Sequence, residues 1–162
     1  MKTYAIIPVK SFSKAKTRLN IPQIKRESLC KEMLEEVLRT LSKCKSIDNI
    51  VIVSKDDAAI KLSKPFGAIQ IFDDELGVNQ AVHLADQHLS DLECDCSVIF
   101  PQDIPMMESS DIDSLLGFLK SKNSVILVPS RQFNGTNALV RYYASSMKTQ
   151  YDKGSYSYQL NA

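Results

Sequence analysis

The residues best placed to do chemistry lie in S-V-I-F-P-Q-D-I-P, positions 97–105, where an apolar run meets one aspartate between two prolines. Val98, Ile99 and Phe100 read as a buried strand. Pro101 ends its ladder, because proline has no N–H to donate, and Pro105 stiffens the exit. Asp103 is thereby expected at the carboxyl end of a strand, the edge where open α/β sheets bind ligands. A carboxylate there suits a hard divalent cation such as Mg²⁺ or Mn²⁺, and through it a phosphate. An ordinary turn aspartate is the competing reading.

Three further loops carry unusual polar residues. P-V-K-S-F-S-K-A-K-T-R-L places Lys10, Lys14, Lys16 and Arg18 directly after an apolar run. Four cations so placed can clamp a polyphosphate, arginine as a rigid fork and lysine as a mobile point charge. The glycines of a dinucleotide fingerprint or a P-loop are missing, and a solvated basic loop is the plainer alternative. In D-D-E-L-G-V-N, Gly77 allows close backbone approach and Asn79 offers a donor and an acceptor to a base edge, or else caps the next helix. In F-N-G-T-N-A-L, the backbone around Gly135, Thr136 and Asn137, with the Thr136 hydroxyl, can cradle a small anion, or form a hairpin turn. Ser155, after Gly154, can serve an anion in the same way at a helix start.

These loops need a frame, and the pattern supplies one. Apolar runs at residues 4–9, 49–54, 68–72, 97–100 and 124–128 read as strands. Helical spacing covers residues 23–42, 56–64, 79–89 and 109–121. The longest of these carries Leu29, Met33, Leu34, Val37, Leu38 and Leu41 on one face. Strands alternating with helices predict a Rossmann-like three-layer α/β/α sandwich with a mostly parallel sheet. The loops after the first, third and fourth strands then converge on one edge.

The chain has 162 residues, a size suited to one domain with a real core. A net charge of +1 advertises neither nucleic acid nor membrane binding, so any anion site is local. Lacking a spanning helix or signal peptide, the chain is expected to be cytoplasmic. Its four cysteines match no common zinc pattern and are expected to be reduced and structural.

P-V-K-x(5)-A-K-T-R-L, L-G-V-N-Q-A, P-Q-D-I-P, P-S-R-x(3)-G-T-N-A-L and G-S-Y, in this order, resemble the 2-phospho-L-lactate guanylyltransferases, the CofC family within the MobA-like nucleotidyltransferases. The resemblance covers essentially the whole chain. It implies a nucleotide-diphospho-sugar-transferase-like fold and transfer of GMP from GTP to 2-phospho-L-lactate, phosphoenolpyruvate or another three-carbon phosphoacid. Pyrophosphate is released, and the product feeds coenzyme F-420 assembly. In this light Lys16 and Arg18 are the leading phosphate clamps and Asp103 holds Mg²⁺ or Mn²⁺. Gly135, Thr136, Asn137 and Ser155 seat the phosphoacid. A molybdopterin or sugar-phosphate nucleotidyltransferase, or a binding module without turnover, remains the alternative.

Two departures stand out. Gln102 replaces the alanine or glycine usual before the metal aspartate. Family members also continue past G-S-Y into a D-x-D-T-P segment with a second metal carboxylate, whereas this chain ends at Ala162. The expectation is a single domain over residues 1–162 lacking that segment, with an open side that favours a homodimer. Asp73, Asp74 and Asp152 are the candidates to supply the second carboxylate.

Overall fold

A computed structural model describes residues 1–143, 147–151 and 154–162. Six strands form one sheet: β1 (Thr3–Val9), β2 (Asn49–Ser54), β3 (Ile69–Phe72), β4 (Cys96–Ile99), β5 (Val125–Pro129) and β6 (Thr136–Tyr142). Their spatial order is β3-β2-β1-β4-β6-β5. The first four are parallel, while β6 runs antiparallel to both β4 and β5.

The apolar runs are continuous because both sheet faces are covered. Successive side chains point to opposite faces. Ala5, Ile7, Val9, Ile50, Ile52, Val98 and Phe100 therefore join one core cluster. Tyr4, Ile6, Val51, Val53, Ile99 and Leu139 join the other. The first cluster is closed by α1 (Gln23–Leu41), α2 (Asp57–Ser63) and α4 (Ser109–Gly117), the second by α3 (Val78–Ser90). On α1, Cys30, Leu34, Val37, Leu38 and Leu41 form the buried stripe. A short last helix, α5 (Ser155–Leu160), follows Gly154.

The three-layer α/β/α architecture agrees with the sequence reading, with one addition. The stretch read as an anion loop from Gly135 to Asn137 runs into β6, a sixth strand inserted between β4 and β5. The chain order reverses between β1 and β4, since α1 leads from β1 to β2 on one side and α3 returns to β4 on the other. Such a switch point opens a crevice beyond the carboxyl ends of the strands. Among the described residues no helix is long and apolar enough to cross a membrane.

Candidate active site

A cavity of about 880 Å³ occupies that crevice, a volume suited to a nucleotide-sized ligand. Its wall collects Lys10, Lys14, Lys16 and Arg18 from the loop after β1, Asp73 and Gly77 from the loop after β3, and Asp103 from the loop after β4. Thr136, at the start of β6, also lines it. The three predicted loops therefore meet. A second cavity of about 530 Å³, mostly apolar, shares Asp103 and is lined by Asn137, Ile104 and Met107 among others.

The basic loop is held in place by carboxylates rather than glycines. Residues Phe12–Lys14 make one 3₁₀ turn, with Phe12 buried in the core. The Phe12 N–H donates to Asp56 Oδ2 at 2.8 Å, while Asp56 Oδ1 caps α2 through the Ala58 N–H at 2.8 Å. From the other side, Glu75 accepts from the Ser11 N–H and from Lys14 Nζ, both at 2.6 Å. The Lys14 ammonium, followed by the Ser11 donors, lowers the Glu75 pKa from its ordinary value of 4.5 to about 2. Lys16 then adopts φ 53°, in the left-handed region that side chains rarely occupy. Its ammonium pairs with Asp103 Oδ2, and both side chains are 33% exposed.

The loop after β3 is shaped differently. Gly77 is the N-cap of α3 at φ 115°, a conformation that favours glycine, with open space where a Cβ would stand. Asp73 is only 5% exposed, and its Oδ1 has no hydrogen-bond partner. Asn79 is absent from the cavity wall, and its Oδ1 accepts from the Tyr151 N–H at 2.7 Å. Its carbonyl thus ties the chain after β6 to α3.

On the far side, Thr136 Oγ1 and Ser155 Oγ lie 3.0 Å apart and both residues are buried. The Gly135 N–H is taken by Ser130 Oγ at 3.0 Å, and the Gly135 carbonyl accepts from the Ser130 N–H at 2.8 Å. This hairpin turn is closed on itself, leaving Thr136 and Ser155 as the hydroxyl pair at that end. Beyond them, Arg141 is fully buried and makes a two-pronged pair with Asp86, at 2.6 and 2.9 Å. Arg141 also donates to Ser97 Oγ at 3.1 Å and to the Met147 carbonyl at 3.3 Å. Those bonds fix the segment that brings Tyr151 into the cavity wall.

Glu75, Gln102 and Tyr151 line the cavity without having been singled out as binding residues from the sequence, and Asp73, named there as a candidate second carboxylate, lines it too. For Glu75 a signal existed: an acidic run facing a basic loop across the same sheet edge. Asp152, named as a candidate second carboxylate, lies outside the described residues, as does Lys153.

The donor set suits a divalent cation. Asp103 offers a hard carboxylate that already carries a positive stand-in, the Lys16 ammonium. Among the described residues no three His, Cys, Asp or Glu side chains gather into a metal cluster. A cation here would rest on Asp103 and complete its shell with phosphate and water oxygens, as Mg²⁺ commonly does.

A model of the "Guanylyl transferase CofC like" family matches residues 3–162. The chain belongs to this family. It is accordingly a guanylyltransferase, an enzyme of the nucleotidyltransferase class. It is 32% identical over 155 residues to a phosphoenolpyruvate guanylyltransferase of Conexibacter woesei, covering 93% of this chain and 70% of that protein. To a 2-phospho-L-lactate guanylyltransferase of Methanothermobacter thermautotrophicus it is 33% identical over 144 residues, 86% of this chain and 62% of that one. Among solved structures it resembles a Desulfovibrio desulfuricans protein assigned to the nucleotide-diphospho-sugar transferases. That match has a TM-score of 0.71 at 18% identity and covers 91% of this chain and 66% of the other. The structural likeness concerns the fold, and it agrees with the Rossmann-like sandwich of the guanylyltransferase.

Proposed function

We propose that this guanylyltransferase joins GMP from GTP to a three-carbon phosphoacid, 2-phospho-L-lactate or phosphoenolpyruvate, for assembly of coenzyme F-420. In the reaction, a phosphate oxygen of the acceptor attacks the α-phosphorus of GTP. A new P–O–P linkage forms, the bond from the α-phosphorus to the α,β-bridging oxygen breaks, and pyrophosphate leaves with that electron pair. No protein nucleophile is required.

The chain's own residues position two anions that repel each other. Lys10, Lys14, Lys16 and Arg18 receive the triphosphate and offset the charge that grows on the leaving pyrophosphate. The Thr136 hydroxyl, backed by Ser155 Oγ at 3.0 Å, seats the acceptor at its phosphate or carboxylate. Asp103 holds Mg²⁺ or Mn²⁺, which when bound supplies charge neutralisation and orientation of the phosphates. Apolar cavity residues such as Ile99, Phe100 and Val78 keep water from the α-phosphorus, where hydrolysis of GTP is the wasteful competitor.

The observation that carries this reading is one cavity lined by four cations, two cation-bound carboxylates, Asp103 and Glu75, and a hydroxyl from the far strand. The test is pyrophosphate release from GTP and Mg²⁺ against a panel of three-carbon phosphoacids. Guanylylated 2-phospho-L-lactate or phosphoenolpyruvate is the expected product. Release that does not depend on any phosphoacid would overturn the assignment.

A further inference from the structure

Asp103 is asked to hold a divalent cation, yet its carboxylate already accepts the Lys16 ammonium. A divalent ion and an ammonium on the same carboxylate face repel, so one must leave before the other binds fully. Lys16 is not there by chance of a floppy side chain. Its backbone is held at φ 53°, and the turn before it is tied down from two sides. Ser11 and Lys14 are bound by Glu75, and Phe12 by Asp56. A left-handed lysine persists only where its surroundings hold it. The ammonium of this backbone-held lysine pairs with Asp103, and both side chains are two-thirds covered.

We propose that Lys16 is a built-in placeholder for the divalent cation, and that cation and nucleotide load by exchange. The cation takes Asp103 readily only when a triphosphate is present to take the ammonium. The inference rests on the guanylyl-transfer reading for the identity of that polyanion. Two properties follow. The nucleotide-free protein binds divalent cations weakly, although a suitable carboxylate lines the cavity. Loss of the lysine amine loosens the triphosphate but tightens the cation. A carboxylate engaged by Lys16 about nine-tenths of the time lowers apparent cation affinity about tenfold, because only the free fraction competes for the ion.

The experiment is a titration of the full chain with Mn²⁺ in the absence of nucleotide, with free Mn²⁺ read by electron paramagnetic resonance. Lys16→Met removes the charge and keeps the stem. Lys16→Gly removes the side chain and suits φ 53°, so it keeps the test decisive if the methionine variant folds poorly. Both variants are expected to bind Mn²⁺ about tenfold more tightly than the unaltered chain. Adding Asp103→Asn to either should erase the gain. No gain in folded Lys16→Met or Lys16→Gly overturns the placeholder, and so does a gain that survives Asp103→Asn. Pyrophosphate release by the unaltered chain separates this from the functional reading. Turnover without a Mn²⁺ gain sinks the placeholder alone. A Mn²⁺ gain without any guanylylated product supports the placeholder and sinks the proposed reaction.

Discussion

Two walls of the same cavity are held by opposite means. The basic loop after β1 is fastened by ion pairs that a ligand can reach, Lys14 with Glu75 and Lys16 with Asp103. The segment after β6 is fastened by Arg141 and Asp86, where the guanidinium is 1% exposed and out of any ligand's reach. Burial decides the difference. A half-exposed pair is worth little and exchanges partners readily, whereas a buried guanidinium stripped of its carboxylate is left uncompensated. In the proposed reaction, one wall would trade its charges for those of a nucleotide. The other is built to stay.

The sharpest way to break this comparison is to cut the buried pair. Asp86→Ala leaves the Arg141 guanidinium without its carboxylate, and should lower unfolding free energy by about 3–5 kcal/mol in urea melts. Replacing both partners, Asp86→Leu with Arg141→Met, should cost less than Asp86→Ala alone, since no unpaired charge then remains. A double variant as unstable as the single one would mean that the pair is not what holds the wall. Lys14→Ala, by contrast, removes an exposed pair and should shift the same melt by about 1 kcal/mol or less.

Next in size is Asp103→Asn, which keeps shape and removes charge. With the carboxylate proposed to hold the cation neutralised, turnover should fall by about 100-fold or more, in the range seen when one electrostatic contact in an active site is lost. Stability should change little, because Asp103 is a third exposed and its partner Lys16 can return to water. Undiminished pyrophosphate release at saturating Mg²⁺ would remove Asp103 from the mechanism.

The contrast between the walls also marks what the sequence disclosed. The ligand-reachable wall was legible, because four cations follow an apolar run and Asp103 stands between two prolines. Both features are local, and strand-end convergence brings them together. The buried wall was not. The stretch from Thr136 to Tyr142 contains Arg141, which argues against a core strand unless a partner waits inside. That partner, Asp86, lies 55 residues earlier on α3, beyond the reach of any local pattern. β6 was accordingly missed, and of the two readings left open for N-G-T-N, an anion loop or a hairpin turn, the hairpin turn is the one seen. Asn79 failed to declare itself for the same reason. An asparagine after a helix cap looks the same whether its carbonyl meets a base or the Tyr151 N–H.

A smaller effect tests whether the exposed wall handles phosphate rather than base. Arg18→Ala should weaken GTP and ATP to the same extent, about tenfold each, consistent with the loss of one charge-assisted contact. Added salt should weaken the unaltered chain further, because screening acts on exposed charges. A loss confined to GTP, measured by titration calorimetry at low salt, would move Arg18 from the phosphates to the base.

The smallest effect concerns pH and the bond that clips the basic loop. Glu75 has its pKa lowered in the folded protein to about 2, first by Lys14 and then by Ser11. A group whose folded pKa is depressed stabilises the fold above its unfolded pKa and loses that contribution as pH falls through the folded value. The Glu75 contribution is therefore complete above about pH 4.5 and fades toward about pH 2. Glu75→Gln keeps an acceptor for the Ser11 N–H but removes the charge that holds Lys14. It should leave a shallower acid limb in a plot of melting temperature against pH, with the two chains converging near pH 2. At neutral pH the variant should lose no more than about 1 kcal/mol, since Lys14 is 61% exposed and screened by water. An acid limb identical in both chains would show that the loop is held by Asp56 and Phe12 alone, and that Glu75 is only a neighbour of the cations.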